Sequence, residues 1–461
     1  MFPFFKKKDK ENISKMKETG KKESGIDGSF AFGVQDTFNL KESNDLVVIG
    51  RVRGTVKPDM AVYISNFGDD EGPITLSVIR GLEINAKQVS EAADCLVALR
   101  IEGGKLANIK IGTVIYTRDI STKDVHDAYV AAIGDSYIIR KDMDLIEEDL
   151  NKMSITDCAE SWRLYNWFHS KDESNTSNEV RETIKKKVYK LADALGNKIL
   201  QANEIYTVYN KLTGEPHLFS KTLKQSDGTY LCTPPDIMII SKPYAKPYEA
   251  MYPANRFEIR KIENGEDKKG IYNFLGSIFY LNGACGIKIN FEEIGIDAAK
   301  LVLQPDYAAM PEIQIPITNP DLERWLLLIG QLGTPNTEAE NLIYKLYYRF
   351  MSRELLNAKL LIPIKTDGDI PVVDETGKAI LKEDFKFGLA MCEGKYGRNA
   401  VKMFTDWKRL RLQFGEEWSG LIQPISGMIE LFDCMINATE FSAVGAYIGE
   451  ELYEDIKNYV S

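Results

Sequence analysis

Between positions 30 and 118 the apolar residues come in short runs, at 47–52, 61–64, 75–79, 96–101 and 113–116. Each run ends at a turn signal: Ser43-Asn44-Asp45, Lys57-Pro58-Asp59, the stretch 69–73, or Gly103-Gly104. Runs this short cannot wrap an amphipathic helix, but they fit strands. Repeated strands between polar turns predict a small all-β barrel or sandwich over 30–118.

The chain has 461 residues, which suggests about three domains. The composition is 44% hydrophobic and 27% charged, which excludes fibrous, disulfide-stapled and wholly disordered classes. The formal net charge is −10, which disfavours a protein that grips nucleic acid by neutralising phosphates. The charge is uneven. Residues 1–25 hold eight Lys against four Asp/Glu. Few aliphatics accompany them, so residues 1–29 read as a disordered basic tail. Phe2, Phe4 and Phe5 beside Lys6–Lys8 leave an electrostatic tether to a membrane or acidic partner as the alternative.

Six cysteines, Cys95, Cys158, Cys232, Cys285, Cys392 and Cys434, stand singly and form no C-x-x-C pair. That usage predicts reduced thiols and a cytoplasmic location. Three histidines, His126, His169 and His217, cannot build a local metal site. No apolar run reaches membrane-spanning length, and the N-terminus has the wrong order for a signal peptide.

The strings "QDTFNLKESNDLVVIGRVRGTVKPDMAVYI", "ITLSVIRGLEINAKQVSEAADCLVALRIEG" and "NIKIGTVI" resemble the second, β-barrel domain of elongation factor Tu-like translational GTPases. Asp36, Phe38, Gly50, Arg51, Val52, Val56, Lys57, Pro58, Glu91, Ala92 and Gly112 fit that pattern. Asp59 departs from it, and Ala93-Asp94 lacks the usual Gly. The GTPase activity of such proteins does not follow, because no G-x-x-x-x-G-K-[ST] exists. The nearest string, Gly388 to Lys395, has five residues between its glycines and Tyr396 where Ser or Thr must reach the metal. Asn210-Lys211-Leu212-Thr213 ends in Thr where a guanine reader needs a carboxylate. No GTP, ATP or other cofactor is expected.

Residues 119–177 read as a helical linker, with helices predicted at 142–153 and 157–168 and a third at 178–201. Beyond 204 the pattern is α+β. Hairpins are predicted around 210–216, around Asn282-Gly283 between strands 277–281 and 284–290, and around Asp367-Gly368 between 360–365 and 370–373. The pattern recurs. Ile289-Asn290 and Ile436-Asn437 each end a strand, Phe291…Gly295 and Phe441…Gly445 follow, and a helix closes each segment. This predicts an internal duplication into two α+β units, 178–304 and 319–461. The second unit, with Asn319, Pro320, Leu322, Pro363, Phe404, Thr405, Asp406 and Trp407, resembles the SseB (enhanced serine sensitivity) family. That resemblance implies no catalytic residues.

Phe404, Asp406 and Trp407 are the candidate partner-binding residues, with Trp407 as an aromatic anchor. Thr405-Asp406 as a helix cap explains the same residues structurally. Cys232 paired with His217 is the candidate for a nucleophile. Glu292, Glu293 and Asp297 are candidates for a cation site, or simply acids at a helix start. The reading is a non-enzymatic, cytoplasmic binding protein with a protein partner. A translation-associated factor whose barrel touches RNA is the alternative, and an unrecognised hydrolase is the third.

Overall fold

A computed structural model describes residues 28–41, 43–66, 74–139, 145, 147–171, 178–308, 310, 315–366 and 386–460. The chain divides into two compact units, residues 1–144 and 145–461.

The first unit is a closed six-stranded barrel. Its strands are β1 (Phe30–Asn39), β2 (Leu46–Val56), β3 (Ala61–Asn66), β4 (Thr75–Ile84), β7 (Leu96–Ile101) and β8 (Thr113–Tyr116), with short β5 (Lys87–Val89) and β6 (Ala92–Ala93) at the margins. The order β1-β8-β3-β4-β7-β2 closes through antiparallel β1–β2 pairing. Alternation drives it: Val97, Leu99 and Ile101 on β7 point inward and meet Val48, Val52 and Ile79 in one core. A closed barrel is the architecture that the translational-GTPase resemblance implied. Asp59 (φ 60°) and Asp94 (φ 49°), the two departures from that pattern, are both left-handed, where glycine is least costly.

Helix α1 (Thr122–Gly134), absent from the expected elements, packs on β1 and β8. The Ser121 side chain caps it by accepting from Asp124 N at 3.1 Å. Val125, Ala128, Tyr129, Ala132 and Ile133 form its buried stripe. The helix sits so close that a Cβ at Gly33 would lie 2.3 Å from the Ala128 carbonyl oxygen. The stretch expected as a linker is therefore divided: α1 belongs with the barrel, and the later helices belong to the second unit.

The second unit opens with α2 (Glu147–Lys152), α3 (Ile155–Lys171) and α4 (Asn178–Gln201). Its first half continues through β9 (Glu204–Asn210), β10 (Thr222–Lys224), β11 (Tyr230–Cys232), β12 (Asp236–Ile240), α5 (Lys242–Met251), β13 (Phe257–Glu263), α6 (Gly270–Tyr280), β14 (Gly286–Ile289), β15 (Phe291–Asp297) and α7 (Ala298–Leu301). The sheet order is β13-β9-β12-β14-β15. β12–β14 is parallel and the other pairs are antiparallel.

The second half runs α8 (Pro320–Leu332), α9 (Glu338–Asn357), β16 (Lys359–Thr366), β17 (Phe387–Leu389), β18 (Met391–Glu393), β19 (Asn399–Met403), α10 (Trp407–Arg411), β20 (Ser419–Pro424), β21 (Asp433–Ile436), β22 (Ala446–Ile448) and α11 (Glu450–Val460). β20 pairs with β16, an antiparallel bridge at Leu361 and Phe404 joins β16 to β19, β19–β21 is parallel, and β21–β22 is antiparallel. Leu322, Leu326, Leu360, Ile362, Val401 and Ile436 are central to its core.

Two sequence expectations are corrected. Residues 277–281 are not a strand but the end of α6, because Ile271, Leu275, Ile278 and Phe279 repeat at helical spacing and are buried. Gly283 (φ +74°) serves packing rather than a hairpin, since a Cβ there would lie 2.1 Å from the Pro320 carbonyl oxygen. Glu292 and Glu293 lie on strand β15, not at a helix start. The turn at Asp367-Gly368, the strand expected at 370–373 and residues 1–27 lie outside the described residues.

Candidate functional site

The candidate anchor segment is mostly interior. Phe404 is 0% exposed and Asp406 1%, so neither side chain is available to a partner. Asp406 caps α10: its Oδ1 accepts from Arg409 N at 2.9 Å. Trp407 is half-buried, with its ring beside Gly420 and the Arg411 guanidinium 5.0 Å above it.

Behind this cap lies a buried charge cluster. Arg409, 2% exposed, forms an ion pair with Asp406, and its Nε lies 2.9 Å from Glu323 Oε1. It also donates to Asn282 Oδ1 at 2.9 Å, and Glu215 Oε1 is 3.5 Å away. Glu323 Oε2 accepts from Thr405 Oγ1 at 2.9 Å and Asn437 Nδ2 at 2.8 Å. Burial pushes the Glu323 carboxyl up to about 7, against the opposing pull of Arg409. The sequence carried a signal of this: Glu323 interrupts the apolar stripe of Leu322, Leu326 and Leu327. These groups tie α8, α10 and the turn after β9 together, which is a structural task, although Glu323 Oε1 meets Arg409 as an ion pair without accepting a hydrogen bond.

An open concave site lies elsewhere, in the first half. A cleft of about 460 Å³ forms over the start of β12 and the β14–β15 pair. Parallel pairing sets Asp236 opposite Gly286 and Met238 opposite Lys288, which puts Asp236, Met238 and Lys288 on one sheet face. Lys288 Nζ lies 3.4 Å from Asp236 Oδ2. Lys221 Nζ lies 2.5 Å from Glu292 Oε2 at the rim. Asp297 lines the cleft and is exposed, and among the described residues no ion-pair partner faces it. Burial raises the Asp236 carboxyl above the ordinary range, and the Lys288 charge opposes that.

Cys285 and His217 complete the wall. Burial raises the Cys285 thiol, so it is the unreactive protonated form at neutral pH. His217 is held at about 4 by burial first and by the Arg256 charge second. Its Nδ1 has no partner, and its ring meets the edges of Phe219 and Phe257 at 4.7 and 5.1 Å. Among the described residues, no contact joins Cys232 to His217, the candidate nucleophile pair. Cys232 instead lies 3.6 Å from Thr222 Oγ1 and is not among the cleft residues. Of the three acids considered for a cation, Glu292 is held by Lys221, and among the described residues no group of His, Cys, Asp and Glu could hold a metal ion. The cleft was invisible to sequence reasoning because its residues run from His217 to Asp297 and meet only through the β12–β14 crossover.

No family model matches the chain, and no curated protein matches it. Among solved structures it is similar to translation elongation factor SelB from Methanococcus maripaludis, in the apo form and in complex with the GTP analogue GppNHp. Each is 19% identical, at a TM-score of 0.19, over 24% of this chain and 24% of the other. The barrel therefore stands on its own strand pairings. Among the described residues no helix is long and apolar enough to cross a membrane.

Proposed function

We propose that this chain is a non-enzymatic, cytoplasmic binding protein of the SseB-like type, with the β12–β14 cleft as its recognition site. The observation that carries this reading is the state of the cleft's reactive groups. The thiol is pushed up, the imidazole is pushed down, and Lys288 and Lys221 each face a carboxylate. A concave, partly apolar site with fixed polar groups suits binding, whereas catalysis would call for an activated nucleophile or base. All six cysteines are free thiols, which supports a reducing compartment.

The reading includes an internal duplication of the α+β body. It is supported by the sheet order β13-β9-β12-β14-β15 in the first half and, in the second, by β20-β16 and β19-β21-β22, two sheets that the Leu361–Phe404 bridge brings into the same succession, with one parallel pair at the same place in each. The test is ligand-observed NMR on the full chain with a broad small-molecule library. Binders displaced by filling the cleft support the reading. Turnover of an ester or peptide substrate, lost on Cys232→Ala, would replace it with the hydrolase alternative. The closed barrel supports a second reading, a translation-associated factor, and salt-dependent RNA binding by the full chain would favour that.

A further inference from the structure

The two halves of the second unit can be compared residue by residue, because each strand that ends in Ile-Asn is locked in the same way. Asn290 (φ 55°) donates its N–H to the Ile239 carbonyl at 2.9 Å, and its Oδ1 accepts from Ser241 N at 2.8 Å. Asn437 (φ 46°) donates its N–H to the Met403 carbonyl at 2.8 Å, and its Oδ1 accepts from Thr405 N at 3.0 Å. Ile239 thus corresponds to Met403, and Ile289 to Ile436. The registers then match Asp236 with Ala400, Lys288 with Met435, Gly286 with Asp433, and Gly295 with Tyr447. This also corrects the Phe-x-x-x-Gly match expected from sequence: the counterpart of Gly295 is Tyr447, not Gly445.

On this face the second half is filled. Tyr447 donates to Asp433, and Arg398 Nε holds Asp433 at 3.2 Å. The first half has Gly286 and Gly295 at those two positions, where a Cβ would lie 2.5 Å from the Ile296 carbonyl oxygen and 3.0 Å from Lys288 Nζ, and the cleft opens beside them over Asp236, Met238 and Lys288. The second half also does without the ion pair, having Ala400 and Met435 where the first has Asp236 and Lys288. The second half thus keeps the same strand pairings without the ion pair. A partly buried ion pair costs desolvation, so its presence on the wall of an open cleft points to a ligand.

Resting on the binding reading above, we propose that the cleft takes a small zwitterion, an ammonium and a carboxylate carried on one molecule. A plain anion would face Asp236, Glu292 and Asp297; a plain cation would face Lys221 and Lys288. A zwitterion sets its ammonium against Asp236 and Asp297 and its carboxylate against Lys288, with Met238 as apolar floor.

The experiment titrates the full chain calorimetrically with L-alanine and L-alanyl-L-alanine, and with propionate and ethylamine, which each keep one of the two charges. Saturable binding of a zwitterion is expected, at least tenfold tighter than either single-charge probe. Lys288→Met and Asp236→Ala, which copy the second half, should each weaken it at least tenfold. Gly295→Tyr should abolish it while the melting temperature shows that the chain still folds. Propionate or ethylamine binding as tightly as the zwitterions, or zwitterion affinity unchanged in Lys288→Met, overturns the proposal. Library binders that Gly295→Tyr displaces, without any zwitterion among them, overturn the zwitterion and leave the binding reading standing. No binder of any class overturns both.

Discussion

Glu323→Gln isolates the pH dependence of the buried charge cluster. The Glu323 side chain is 0% exposed, and its carboxyl is held at about 7 against an ordinary 4.5. The folded chain therefore takes up this proton more readily than the unfolded one. The contribution to stability is full below about pH 4.5 and is lost as the pH rises through 7. A difference of about 2.5 units at about 1.36 kcal/mol each gives about 3 kcal/mol over the whole window, and about 2.5 kcal/mol between pH 5 and pH 8. Glutamine keeps the side-chain shape and an oxygen for Thr405 and Asn437, but it does not titrate. The assay is urea unfolding of the full chain and of the variant at pH 5, 6, 7 and 8. Other groups titrate alike in both, so the stability difference between the two proteins carries the signal. It should move by about 2.5 kcal/mol in favour of the variant as the pH rises from 5 to 8. Parallel profiles would refute the reasoning and place the Glu323 proton elsewhere.

Trp407→Ala should cost about 2–3 kcal/mol and lower the melting temperature by several degrees, because the ring packs with Phe404 and Leu410; an unchanged melt with lost partner affinity would restore the anchor. Gly33→Ala should loosen α1, since the new Cβ meets the Ala128 carbonyl; hydrogen exchange over 122–134 should speed up at least tenfold, and unchanged protection would show that the helix yields without cost. Titration with GTP or ATP should show no saturable micromolar site; a clear binding isotherm would mean that a phosphate cradle exists outside any recognisable loop.

The barrel was legible because a half-buried strand writes its geometry into alternate residues, as β7 does with Val97, Leu99 and Ile101. The cap at Asp406 was legible for a similar reason: one short polar side chain and its helix are neighbours in sequence. The end of α6 was misread because Asn282-Gly283 is hairpin chemistry locally, while the demand on Gly283 comes from Pro320, far along the chain. Helix α1 was missed although Val125, Ala128, Tyr129, Ala132 and Ile133 fall at helical spacing; two of the five, Ala128 and Ala132, are small and weaken the apolar signal. The cleft could not be read at all. Lys288 looks like any solvated lysine until β12 is set beside β14 and the second half shows Met435 in its place.

Closure of the barrel sets a schedule for the chain during synthesis. Strand β1 is the first of the ring to be made, and it needs the last: Phe30 N donates to Thr117 Oγ1 across 87 positions, and Phe32 stands opposite Ile115. Until that stretch has left the ribosome, the partial sheet carries two raw edges that can recruit strands from other chains. Such distant pairing also makes the ring slow to form once it is available. Helix α1 is translated immediately after the closing strand and lies over β1 and β8, the two strands that meet at the seam. A nascent chain arrested before Thr117 is an aggregation hazard, and one arrested after Gly134 carries its own latch.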